Sequence, residues 1–84
     1  MQPIQALLHR IEWDPEFGFA KFVVGYYDRV AKAVVKVPFE RMTFEPRDPF
    51  CFEVVDEEGV THSIPLHRVR EVYRNGELIW HRQP

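Results

Sequence analysis

The chain has 84 residues and a mass of 10.1 kDa, which suits a single domain over 1–84 with a radius of gyration of roughly 12 Å and excludes a multidomain enzyme. Hydrophobic residues make up 45%, aromatics 14% and charged residues 29%, a globular rather than disordered composition. The formal net charge of −2 gives no general attraction to nucleic acid, although most of the cations are Arg, whose planar fork suits bidentate contact with an oxyanion.

The segment from Pro3 to Trp13 places Ile4, Leu7, Leu8 and Ile11 at i, i+3, i+4 and i+7, the apolar stripe of one short helix. Pro3 suits its first turn, and Asp14-Pro15 supplies the stop because a residue before proline is pushed out of the helical region. From Phe17 the period changes to two. Ala20, Phe22, Val24 and Tyr26 form a core face, which leaves Tyr27 and Arg29 on the opposite, wetter one. A second strand covers Ala33 to Pro38, where proline ends the ladder. The stretch from Phe39 to Pro49 gives mixed signals and contains a surface turn, Glu45 to Pro49.

A third strand, Phe50 to Asp56, and a fourth, Val60 to Ile64, are joined by Glu57-Glu58-Gly59 with glycine in the left-handed position. This hairpin puts Phe50, Phe52, Val54, Val60, His62 and Ile64 on one face, which makes His62 a hydrogen-bonded core histidine. Pro65 precedes a last hairpin, Val69 to Tyr73 and Leu78 to His81, turned by Asn75-Gly76. An unbroken two-residue turn register sets Arg74 opposite Glu77, Tyr73 opposite Leu78, Val72 opposite Ile79, Glu71 opposite Trp80 and Arg70 opposite His81. No internal repeat is apparent. The expected architecture is α+β: one N-terminal helix packed on a curved antiparallel sheet or small open barrel of five to six strands.

The single Cys51 cannot form an intramolecular disulfide, no secretory signal is visible, and no segment has the length of a membrane span. A cytoplasmic location without membrane contact is the expectation. Glycine-rich phosphate loops, zinc-type Cys/His spacing and recognisable nucleophile contexts are missing, so neither a cofactor nor a metal is expected.

Three of the four histidines precede an arginine: His9-Arg10, His67-Arg68 and His81-Arg82. Arg68, Arg70 and Arg74 occupy alternate positions, and side chains on one face of a strand lie about 6.6 Å apart, comparable to a phosphate step in single-stranded nucleic acid. With His81 beside Arg70, this reads as an anion cradle. The same alternation also fits a solvated face on which Glu53, Glu71 and Glu77 pair weakly with the arginines. Among Trp13, Tyr26, Tyr27 and Trp80, the residue best placed to stack on a base is Tyr27; the others suit core or edge packing.

Several motifs together resemble a known family. They are Leu7-Leu8 with Ile11 and Trp13-Asp14-Pro15, then Tyr26-Tyr27-Asp28-Arg29, and a closing run of Ile64-Pro65, His67-Arg68 and Arg70 followed by Asn75-Gly76-Glu77, Ile79-Trp80 and Arg82. Across nearly the whole chain the pattern is similar to the RNA cyclic group end recognition domain. The resemblance implies a non-catalytic α+β domain that binds RNA 3′ ends carrying a 2′,3′-cyclic phosphate, coupled to an RNA repair or processing enzyme. By position it points to Asp28, Arg29, His67, Arg68 and Arg70. Some members carry His-Arg in place of Asp28-Arg29, so this chain brings a carboxylate to the site.

The preferred function is recognition of a cyclic or terminal phosphate on RNA by an Arg/His cradle of Asp28, Arg29, His67, Arg68, Arg70, Tyr27 and His81. Two other readings stay open. One is an adaptor whose arginine-rich hairpin docks an acidic protein. The other is a small cyclic phosphodiesterase with His67 as acid or base.

Overall fold

A computed structural model describes residues 3–45 and 47–82. Helix α1 spans Ile4–Trp13 and buries Ile4, Leu7, Leu8 and Ile11, the stripe read from the sequence. It stops at Asp14, whose backbone is extended (φ −96°, ψ 105°) and whose N–H donates to the Arg10 carbonyl. The Asp14 carboxylate then accepts from the N–H groups of Glu16 and Phe17, closing the turn that leads away from the helix.

Seven strands follow among the described residues: β1 Phe22–Asp28, β2 Ala33–Pro38, β3 Met42–Phe44, β4 Cys51–Val55, β5 Thr61–Pro65, β6 Val69–Arg74 and β7 Glu77–His81. They form two antiparallel sheets, β2-β1-β6-β7 and β3-β4-β5. The α+β class and the N-terminal helix hold. The single sheet or open barrel of five to six strands does not, because β3 arises within the stretch of mixed signals and the chain changes sheet twice. Pro46, inside the expected turn Glu45 to Pro49, lies outside the described residues.

Both changes of sheet use the same device. Val37-Pro38-Phe39-Glu40-Arg41-Met42 and Ile64-Pro65-Leu66-His67-Arg68-Val69 share an apolar–Pro–apolar–x–Arg–apolar pattern. In each, proline (φ −61°, ψ 138° for Pro38; φ −63°, ψ 139° for Pro65) leads into a three-residue 3-10 turn, Phe39–Arg41 or Leu66–Arg68. Proline presets φ and removes a ladder donor, so it ends one strand and aims the chain at the other sheet. This is a short local repeat, carried by the sequence pattern itself, which corrects the expectation of no internal repeat.

The core is shared by the helix and both sheets. Val24, Phe52, Val69 and Val72 are its fully buried residues, and Tyr26 meets Phe52 edge-on across the sheets at 5.9 Å between ring centroids. Val69 and Val72 both point inward despite their odd spacing. Arg70 is an extra residue: Gly25 pairs with Glu71 and Tyr26 with Val69, leaving Arg70 in a bulge. Ile79 is a second extra residue, because Tyr73 pairs with Leu78 but Val72 pairs with Trp80. A bulge re-aims the side chains beyond it, and this one sends Trp80 into the core at 6% exposure. Arg74–Glu77 and Tyr73–Leu78 keep the expected register. Val72 therefore faces Trp80 rather than Ile79, and His81 faces Glu71 rather than Arg70.

The hairpin turns follow their sequence signals. Asn75 and Gly76 both have positive φ (50° and 85°), as a tight primed turn requires, and Gly59 (φ 84°) takes the left-handed position of the β4–β5 turn. His62 is not a core residue. It shares the face of Val54 but lies beyond the edge of the core, exposed, with Nε2 2.7 Å from the Asp56 carboxylate. That bond holds the Asp56 carboxyl below the usual carboxylate range. Phe50, expected on the same apolar face, is 68% exposed.

Candidate functional site

The strand registers bring the expected site residues to one end of the four-stranded sheet. There β1 finishes at Tyr27 and Asp28, β2 begins at Ala33, the second 3-10 turn delivers His67 and Arg68 into β6, and β7 ends at His81. Arg29 and Lys32 sit in the β1–β2 loop at that end. Tyr27, Arg70 and His81 line a shallow groove of about 300 Å³ on the outer sheet face, together with Val34, Glu71, Leu78 and Arg82. Arg29, His67 and Arg68 are not among its lining residues.

Three details depart from the sequence reading. Arg68 lies in the 3-10 turn rather than on a strand face. Arg74 is at the far end of β6, opposite Phe22, with its guanidinium 5.2 Å from the Phe17 ring centroid. The His9-Arg10 pair belongs to α1, where Arg10 contacts Asp14 at 3.6 Å and covers Phe17 at 4.0 Å. The alternating arginine ladder is thus replaced by a cluster drawn from four chain segments.

The guanidiniums are oriented by carbonyl oxygens. A short helical turn leaves most of its C=O groups without intrahelical partners, and here arginines donate to them, joining the Val69 N–H on the Leu66 carbonyl. Arg70 Nη1 donates to the His67 carbonyl at 2.7 Å. Arg82 donates through Nη2 to the Leu66 and Val69 carbonyls at 3.2 and 3.1 Å, while its backbone N–H donates to the Arg70 carbonyl. A carbonyl fixes a guanidinium without cancelling its charge, so donors remain for an anion. Among the described residues, the ion pairs are Arg10–Asp14 and His62–Asp56. Among those residues no carboxylate lies within pairing distance of Arg29, Arg68, Arg70 or Arg82, and the buried Nε atoms of Arg68 and Arg70 have no hydrogen-bond partner there.

Asp28 has a local task. Its Oδ1 accepts from the N–H groups of Val30 at 2.8 Å and Ala31 at 3.2 Å, shaping the β1–β2 loop. Burial of the neighbouring Tyr26 phenol, and after it the Asp28 charge, hold that phenol above its ordinary value of 10.0. Tyr26 and Trp80 are core residues, whereas Trp13 is 68% exposed. Sequence reasoning missed Arg82 and Glu71 as groove residues. Arg82 could have been found from the recurring His-Arg pairs; Glu71 could not, because its placement depends on the bulge at Ile79.

Larger grooves among the described residues include three of about 490, 530 and 520 Å³. The first is lined by Glu12, Glu40 and Lys21 around apolar walls, the second by Glu12 and Glu45 beside Trp13 and Phe50. The third sets Arg41 beside Asp56 and Glu57. Each of the three has two carboxylates and at most one arginine, so all suit an anion less well than the smaller groove does. Among the described residues, no group of three His, Cys, Asp or Glu side chains is arranged to hold a metal ion.

Comparison with protein families matches residues 1–82 to the MJ1316 RNA cyclic group end recognition domain. The chain belongs to this family. The match spans the helix, both sheets and every residue of the arginine-rich end. No solved structure matches the chain, and among the described residues no helix is long and apolar enough to cross a membrane.

Proposed function

We propose that the protein is a non-catalytic module that binds RNA 3′ ends carrying a 2′,3′-cyclic phosphate or a terminal phosphate. The observation that carries this reading is the family match over residues 1–82, whose description names RNA cyclic group end recognition. The gathering of Arg29, Arg68, Arg70 and Arg82 at one sheet end, without acidic partners among the described residues, supports it. Arg70 and Arg82 receive the phosphate oxygens, His67, Arg68 and Arg29 border it, His81 donates from β7, and Tyr27 offers a ring for the last base. An enzyme of RNA repair or processing is the matching partner, since cyclic ends are products of RNA cleavage.

A terminal ligand presents few phosphates, which agrees with a net charge of −2 better than tracking along a duplex does. Neutralising about two or three phosphates predicts a log–log salt slope near −1.4 to −2. The test is a binding comparison of oligoribonucleotides that differ only in a 3′ hydroxyl, monophosphate or cyclic phosphate. The reading expects tighter binding to phosphorylated ends and a shallow salt slope; equal binding to all three ends overturns it.

A further inference from the structure

The groove contains a carboxylate as well as cations. Glu71 lines it beside Arg70, His81 and Arg82, and by register lies opposite Gly25 on β1 and His81 on β7. A glycine within a strand often marks a close approach by another group, and here the groups are Val34 and Glu71. A Cβ on Gly25 would stand 3.1 Å from Glu71 Oε1 and 2.9 Å from Val34 Cγ1. The bare backbone thus lets the carboxylate lie across β1 at the floor of the groove. Among the described residues no cation is within pairing distance of Glu71, so its charge is not cancelled. Asp28, the other carboxylate at this end, is engaged by the Val30 and Ala31 N–H groups.

Resting on the end-recognition reading above, we propose that Glu71 determines which phosphate the site accepts, favouring a monoanionic cyclic phosphate over a phosphomonoester. Both ends offer oxygens to the guanidiniums, but a monoester carries about −1.5 to −2 near neutral pH, whereas a cyclic phosphate is a diester with one charge. A carboxylate seated beside the arginines repels the additional charge. In a groove open to solvent this repulsion is worth on the order of three- to tenfold in affinity. Arg70 and Arg82 supply attraction, and Glu71 supplies discrimination.

The test titrates the full chain and its Glu71→Gln variant, near neutral pH, with one oligoribonucleotide ending in a 2′,3′-cyclic phosphate, a 3′-monophosphate or a 3′-methyl phosphate diester. The wild type should prefer the cyclic end to the monophosphate by about three- to tenfold, and the variant should lose that preference by binding the monophosphate more tightly. The methyl diester, a monoanion without the ring, should bind the wild type like the cyclic end; this arm does not depend on how the variant folds. An unchanged cyclic-to-monophosphate ratio in a folded variant overturns the proposal, as does rejection of the methyl diester to the same degree as the monophosphate. A wild type that binds phosphorylated ends no better than a 3′ hydroxyl overturns the end-recognition reading itself, and the role of Glu71 with it.

Discussion

Arg70 donates to the His67 carbonyl, whereas the Arg68 side chain, two residues earlier, has no hydrogen-bond partner among the described residues and keeps a buried Nε unpaired. Their substitutions should therefore separate. Arg68→Ala removes no internal bond, so thermal unfolding should shift by less than about 0.5 kcal/mol, while loss of a charge-assisted contact should weaken binding of a phosphorylated RNA end by roughly tenfold or more. A large loss of stability with binding unchanged would make Arg68 a folding residue instead. Tyr26 is the residue whose titration reaches the core. Burial and the Asp28 charge raise its phenol above 10.0 in the folded state, so the unfolded chain releases that proton first. The resulting stabilisation is complete below the unfolded value and is lost as the pH rises through the folded one. Denaturant titrations above pH 10 should show stability falling with pH, and Tyr26→Phe should flatten that fall.

At the scale of elements, the β6–β7 turn is tied to the start of β1. Asn75 Oδ1 accepts from the Lys21 N–H at 3.0 Å, and the Asn75 N–H donates to the Lys21 carbonyl at 2.8 Å. Asn75→Ala loses the side-chain bond and places a less tolerant residue at φ 50°, a cost of about 1–3 kcal/mol. For a domain of this size, the midpoint of a thermal melt should drop by roughly 5–15 °C. This turn was legible in the sequence because Asn-Gly is a local signal, as were the stripe of α1 and the alternation of Phe22, Val24 and Tyr26. The bulges at Arg70 and Ile79 were not legible. Each is decided by which neighbours need to reach the core, Val69 and Val72 in one case and Trp80 in the other, and period-two reading has no means of skipping a residue. The extra residue Ile79 moved His81 from opposite Arg70 to opposite Glu71. Pro38 and Pro65 were legible as strand ends, but their role in changing sheets depends on packing distant in sequence.

For the whole molecule, a chain of rings runs Phe17, Phe22, Phe39, Phe44, Phe52, Tyr26, each within 6.5 Å of the next. It joins the two sheets without a disulfide, since large aromatic burial offsets the limited core of a small chain. That frame leaves one end of the four-stranded sheet free for cations, and a chain of net charge −2 acquires a local excess of arginine. Of the candidate site, strand parity and hairpin register made Tyr27, Arg70 and His81 legible as residues of one face, and they do border one groove. Its geometry was not, because Arg82 and Glu71 enter it only through tertiary pairing. The central claim is that this end of the sheet is where an RNA terminus binds. The most direct measurement is a map of backbone amide chemical shifts as an oligoribonucleotide with a 2′,3′-cyclic phosphate is added. The account predicts that the largest changes fall on Tyr27 to Arg29, His67 to Glu71, and His81 to Arg82; changes centred instead on the groove beside Trp13 and Phe50 would contradict it.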